Sequence, residues 1–190
     1  METENIIYKK LNNRKKLTNK KKISNFLNFK TLLNKYPLLK SLTYEYSYSF
    51  KKKDLKNLKN YQEFNLIGMG GSALGAEAIY DFLSHKIKKK FFFFSNLQNF
   101  KISKPDKKRL NIIISKSGNT LETVSNLNLI LTKQKTNRNL IITENKKNIL
   151  RVMAYKLKSD VLEHKNYIGG RYSVLSEVGM VPAELMGLNE

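Results

Sequence analysis

From about residue 61 the chain alternates between short uninterrupted apolar runs and stretches whose apolar positions recur every three or four residues. The runs are NLIG (65–68), FFFFS (91–95), NIIIS (111–115) and NLIIT (139–143), with DVLEH (160–164) as a shorter fifth. Runs of this length, apolar throughout, predict strands covered on both faces, as in a parallel sheet. Between them lie helical patterns. GSALGAEAIYDFLSHK (71–86) puts Leu74, Ala78 and Leu83 near one face, with Ile79 and Phe82 widening it. A second helix is predicted from about Thr120 to Lys133, a third in NKKNILRVMAYKL (145–157), and a fourth in the second half of GGRYSVLSEVGM (169–180). Strand–helix alternation joined by right-handed crossovers predicts an α/β fold: a doubly wound parallel sheet with helices on both faces.

Residues 1–60 have a different texture. They are rich in Lys and Asn with scattered Leu, Phe and Tyr, and NFLNFKTLLNKY (25–36) has helical spacing. The pattern predicts a basic, mostly helical segment over 1–60, its first twenty-odd residues loosely ordered, ahead of an α/β domain over 61–190. There is no internal repeat and no long Gly/Ser/Pro linker.

Composition narrows the chemistry. At 190 residues and 41% hydrophobic content, the chain can bury one real core. It has no cysteine, which excludes a disulfide scaffold, a Cys-based zinc site and a thiol nucleophile. Two histidines, His85 and His164, make a poor basis for a histidine-rich metal site, and no metal is expected. The N-terminus lacks the apolar core of a secretory signal, and the longest apolar runs are too short to span a bilayer. A soluble cytoplasmic protein without a membrane partner is therefore expected. With 36 Lys+Arg against 15 Asp+Glu, the net charge is +21. Such an excess suits nucleic-acid binding. Yet Lys, Asn, Ile, Phe and Tyr abound together, as A/T-rich codons would give, and the lysines fall in scattered runs (19–22, 51–53, 88–90) rather than one stripe. No zinc, RRM-like or helix-turn-helix signature accompanies the charge, so no specific nucleic-acid partner is expected.

In doubly wound sheets ligands sit beyond the carboxyl ends of the strands, where two Gly/Ser-rich stretches fall. The first is SKSGNT (115–120). A strand that ends in a helix start leaves backbone N–H groups unpaired, and with the helix dipole they favour an anion. Ser115, Ser117 and Thr120 add hydroxyls, Gly118 permits a tight turn, and Asn119 with Glu122 has the spacing of a capping box. The stretch reads either as a phosphate cradle or as a hydroxyl-rich turn capping a helix; it is not a P-loop. The second is GMGGSALG (68–75). Gly68, Gly70 and Ala73 fit a dinucleotide fingerprint, but the second strand ends in Ser95 and Asn96 without the acid that would hold a ribose. Close backbone approach at Gly70 and Gly71 is the better reading, with Ser72 capping the helix and donating to a ligand. In a third stretch, GGRYS (169–173), two glycines let the backbone bend while the Arg171 fork points inward; alone it would pass for a surface arginine in a turn.

LIGMGGSALG (66–75), IIISKSGNTLET (112–123) and YIGGRYSVLSEVGM (167–180), in this order, resemble the phosphoglucose isomerase (glucose-6-phosphate isomerase) family, built from sugar-isomerase (SIS) domains, three-layer flavodoxin-like sandwiches. The match spans roughly residues 61–189, and the third stretch is close to a specific family signature. The resemblance implies interconversion of glucose 6-phosphate and fructose 6-phosphate, by proton transfer between C1 and C2 through a cis-enediol(ate), with no cofactor. It implies that Ser115, Lys116, Ser117 and Thr120 hold the substrate phosphate, that Gly118 and Asn119 shape that loop, and that Gly71 and Ser72 contact the sugar phosphate. It places Arg171 beside the reacting carbons. It further implies a homodimer for the full-length enzyme. The family's base glutamate, ring-opening histidine and C-terminal lysine belong to motifs of a second SIS domain with no counterpart here. The chain is thus expected to be an N-terminal portion, inactive alone. Glu177, Glu184 and Glu190 read as solvent-facing, and His164 as an edge or packing residue. The alternative is a non-catalytic sugar-phosphate-binding SIS module, a regulator or a subunit.

Overall fold

A computed structural model describes residues 29–97, 108–133 and 138–188. The chain divides into two compact units, residues 1–36 and 37–190. Of the first, the described part is helical over residues 29–35. Residues 25–28 of the predicted 25–36 helix, the order of the first twenty-odd residues, and Glu190 lie outside the described residues, and the helix ends before Tyr36.

The second unit is built on five parallel strands: β1 (Glu63–Gly68), β2 (Lys90–Phe94), β3 (Arg109–Ile114), β4 (Arg138–Thr143) and β5 (Asp160–Glu163). Their order is β2-β1-β3-β4-β5. All five expected strands are present, and β1 and β3 are buried along their whole length, as continuous apolar blocks require. Four helices connect or follow them: α1 (Leu74–Phe82), α2 (Leu121–Lys133), α3 (Ile149–Leu157) and α4 (Glu177–Met186).

The strand pleat sends alternate residues to opposite faces. Phe64, Leu66, Ile112, Ile114 and Ile142 pack with Ala73 and Ala76 at α1 and with Val178, Val181 and Leu185 of α4. Ile67, Ile113 and Ile141 pack on the other face with Leu127 and Ile130 of α2 and Leu150 and Ala154 of α3. This is the doubly wound, three-layer arrangement the alternation predicted. Register brings Asn65, Asn111 and Asn139 side by side across β1, β3 and β4. The Asn65 amide donates to Asn111 and the Asn111 amide to Asn139, each at 2.8 Å, so three buried carboxamides run across the sheet.

Two expectations fail on the first of these faces. Glu177 and Glu184 do not face solvent; they are 0% and 1% exposed, and every residue of α4 is buried. The covering comes from residues 37–60, whose Phe50, Leu55 and Leu58 join the core. Glu177 accepts from the Tyr46 hydroxyl (2.8 Å) and the Ser49 amide (2.7 Å), and Glu184 pairs with Lys59 (2.6 Å) and Lys52 (3.3 Å). Burial and then the Glu177 carboxylate push the Tyr46 hydroxyl well above its ordinary pKa, which keeps it a donor. The apolar stripe of α1 is the second. Ala73 and Ala76 make its buried contacts, with Ile79 of the expected stripe half-buried against the core, while Leu74, Ala78 and Phe82 stay exposed. Close packing of α1 on the turn before α4 explains this, because a Cβ on Gly75 would stand 2.8 Å from the Val174 side chain.

Candidate active site

The loop between β3 and α2 gathers the predicted hydroxyls. Ser115 Oγ lies 2.9 Å from Thr120 Oγ1, and Ser117 Oγ lies 3.4 Å from the same atom. Gly118 turns the loop at φ +67° and donates its N–H back to Ser115. The backbone N–H groups of Ser117 and Thr120 donate to no described residue. They precede the thirteen-residue helix α2, whose dipole favours negative charge at this end. Hydroxyls, open N–H groups and a helix N-terminus thus converge on one spot that can hold a phosphate-like anion.

Asn119 has a different task from the one its spacing suggested. Its Oδ1 accepts from Ile149 N at 2.9 Å, so it serves the start of α3 rather than a capping box with Glu122. Lys116 also turns away from the cradle: its ammonium donates to Asn166 O at 2.6 Å and pairs with Glu144 at 3.5 Å. Burial works against the Glu144 carboxylate, but Lys146 and Lys116 outweigh it and hold its pKa below the ordinary carboxylate value. Lys116 therefore ties the β3–α2 loop to the stretch that leads into GGRYS.

The other two motifs meet directly. A Cβ on Gly71 would overlap the Gly170 carbonyl, so only glycine allows these backbones to touch. Ser173 Oγ seals the junction by donating to Gly170 O (2.6 Å) and reaching Gly71 O (3.3 Å). Ser72 is buried beside it but does not cap α1, which starts after Ala73 without a side-chain cap. Arg171 is exposed and forms no hydrogen bond or ion pair with a described residue. It lines a cavity of about 850 Å³ with Gly71, Leu74, Phe82, Gly170 and Val174. None of residues 115–120 lines that cavity. His164, 1% exposed at the end of β5, accepts the packing role; burial lowers its pKa, leaving the ring neutral near pH 7. Sequence reasoning missed Thr143 and Asn148, which brace the anion loop; an Asn immediately before an apolar-periodic helix was the available signal for the latter.

The fold is a five-stranded parallel sheet covered by helices on both faces, with the loop motifs grouped at the carboxyl ends of its strands. Among solved structures the chain is similar to tagatose-6-phosphate ketose/aldose isomerase from Escherichia coli, with a TM-score of 0.55 at 18% identity over 84% of this chain and 42% of that one, a likeness of fold. The family model of phosphoglucose isomerase matches residues 38–190. The chain belongs to the phosphoglucose isomerase family. Its relatives include the glucose-6-phosphate isomerases of Methanocaldococcus jannaschii (36% identical, covering 70% of this chain and 35% of the relative) and Borreliella afzelii (33% identical, covering 66% and 27%). The chain thus spans about a quarter to a third of the length of these relatives. Among the described residues no helix is long and apolar enough to cross a membrane.

Proposed function

We propose that this chain supplies the phosphate-gripping part of a glucose-6-phosphate isomerase site, and that residues 61–190 are its SIS domain. The observation that carries the reading is the convergence of Ser115, Ser117 and Thr120 hydroxyls with the open N–H groups of Ser117 and Thr120 ahead of α2. A phosphate dianion accepts from the open N–H groups and from a hydroxyl that turns from its neighbour to the ligand, and charge-assisted hydrogen bonds are the strong ones. Gly71 and Ser72 border the sugar from the β1 side. Lys116 contributes through its backbone and by holding the loop, since its side chain is engaged elsewhere.

In the isomerisation a proton moves between C1 and C2 through a cis-enediol(ate). Arg171, free of internal partners, would face the negative charge that develops on oxygen; removing one such preorganised donor typically costs about 2.7–4 kcal/mol of transition-state stabilisation. The base is not expected among this chain's buried acids. Both oxygens of Glu177 accept from Tyr46 and Ser49, and Glu184 is paired with two lysines. On the family resemblance the base belongs to a second SIS domain, in a homodimer working in the cytoplasm.

Titrating fructose 6-phosphate into the ¹⁵N-labelled chain tests the binding step. The amides of residues 115–120 should shift together and saturably, with inorganic phosphate competing. Shifts that miss this loop, or no shift at millimolar sugar phosphate, refute the reading.

A further inference from the structure

The β3–α2 loop carries the open donors, but its shape is set from outside, by the turn between β4 and α3. Three groups of the loop are held there. Lys116 O accepts from Glu144 N (3.1 Å) and from Thr143 Oγ1 (3.3 Å). Gly118 O accepts from Leu150 N at 3.0 Å, and Asn119 Oδ1 accepts from Ile149 N at 2.9 Å. A trans peptide points its N–H opposite to its C=O. Fixing the carbonyl of Lys116 toward β4 therefore fixes the N–H of Ser117 away from it, on the open side of the loop.

Asn148 is where these ties join. It is 6% exposed and its carboxamide is fully engaged. Oδ1 accepts from Arg151 N at 2.9 Å, capping α3; Nδ2 donates to Thr143 Oγ1 and to Lys146 O, both at 3.1 Å. Thr143 in turn passes the contact to Lys116 O. Asn148 also fills the space beside Gly118, where a Cβ would overlap its carboxamide. One consequence separates the two neighbouring helix starts. The first three donors of α3, on Ile149, Leu150 and Arg151, are taken by Asn119, Gly118 and Asn148, so this helix start offers nothing to a ligand. The start of α2 keeps its donors open.

We infer that Asn148, acting through Thr143, is a positioning residue for anion recognition: it orients the loop's donors without touching the ligand. The inference rests on the phosphate reading of residues 115–120. The test uses two variants. Asn148→Asp keeps the acceptor that caps α3 and removes both Nδ2 donations; Thr143→Val keeps the shape and cuts the relay at its middle. Fructose 6-phosphate affinity is measured by calorimetry for each, beside thermal melts and the free-state amide shifts of residues 116–119. Both variants should bind about tenfold more weakly, the worth of about one well-made hydrogen bond. Their free-state shifts should move within the loop while those of β1 stay put. Wild-type affinity in either folded variant overturns the inference and leaves the phosphate reading standing. A wild-type chain that binds no phosphorylated hexose overturns both.

Discussion

Gly118→Ala concentrates the argument in one methyl group. Gly118 sits at φ +67°, where a non-glycine residue costs about 1–2 kcal/mol. The added Cβ would also overlap the carbon, oxygen and nitrogen of the Asn148 carboxamide. That carboxamide is buried and makes three hydrogen bonds, so it has no unoccupied position to retreat to. Displacing it removes a helix cap, about 1 kcal/mol, and weakens two further hydrogen bonds of about 0.5–1.5 kcal/mol each. The sum is about 3–6 kcal/mol. Gly70→Ala is the control. Gly70 also has a positive φ, +53°, but a Cβ there meets nothing within 4 Å, so only the backbone strain of about 1–2 kcal/mol applies. Any gain from a stiffer unfolded chain is the same for both. In urea, where small proteins lose about 1–3 kcal/mol per molar, Gly118→Ala should lower the unfolding midpoint by about 2 M and Gly70→Ala by about half that or less. Equal midpoints would refute the claim that Asn148 and Gly118 are fitted to each other.

Other consequences are as direct. Asn111→Ala takes the acceptor from Asn65 and the donor from Asn139 in the middle of the sheet, so urea unfolding should show a loss of about 2–4 kcal/mol, far more than an exposed Asn→Ala change. Gly71→Ala must push the β1 loop off the Gly170 carbonyl; overpacking of this kind costs about 1–3 kcal/mol, and the amide shifts of residues 169–173 should report the separation. Arg171→Ala should leave the unfolding free energy from urea melts within about 0.5 kcal/mol of wild type, since no described residue pairs with it, while weakening fructose 6-phosphate binding; a large stability loss would contradict its exposure. Burial opposes the Glu184 charge, but Lys59 and Lys52 outweigh it and hold its pKa below the ordinary 4.5. The unfolded state then binds more protons in that window, so this part of the stability is full above about pH 4.5 and fades as pH falls through the lower folded value. Stability of Glu184→Gln should fall less than wild type between pH 6 and 3, and parallel curves would count against the ion pairs.

How much of this was legible depended on the range of the interaction that decided each feature. Strands announce themselves locally, because a strand covered on both faces is mostly apolar, and runs such as FFFF and III have few other uses. The glycines of the loops were legible for the same reason: Gly118 and Gly71 stand where backbone must pass backbone or side chain. What failed was settled by residues far away in sequence. The Asn119–Glu122 spacing is a sound local signal, but a donor thirty residues on, Ile149 N, took the side chain. Glu177 and Glu184 looked solvent-facing because a carboxylate in a core needs partners, and theirs come from residues 46–59, more than a hundred positions earlier. The alignment of Asn65, Asn111 and Asn139 needed the strand order and register, neither of which a single strand encodes.

The same long-range pairing bears on the chemistry. The chain has far more cations than anions, and the four glutamates buried among the described residues are all occupied: Glu63 by Arg109, Glu144 by Lys116 and Lys146, Glu177 by Tyr46 and Ser49, Glu184 by Lys52 and Lys59. A general base for proton abstraction from carbon needs a raised pKa and a clear path to substrate. Where a shift is resolved among these carboxylates, at Glu144 and Glu184, it runs the other way, because lysines stabilise the charged form. These buried acids hold elements together, and the open donors at Ser117, Thr120 and Arg171 all suit an anion. Buried carboxylates that serve as fasteners, beside loop donors that stand open, suit the seating of an anion better than the abstraction of a proton.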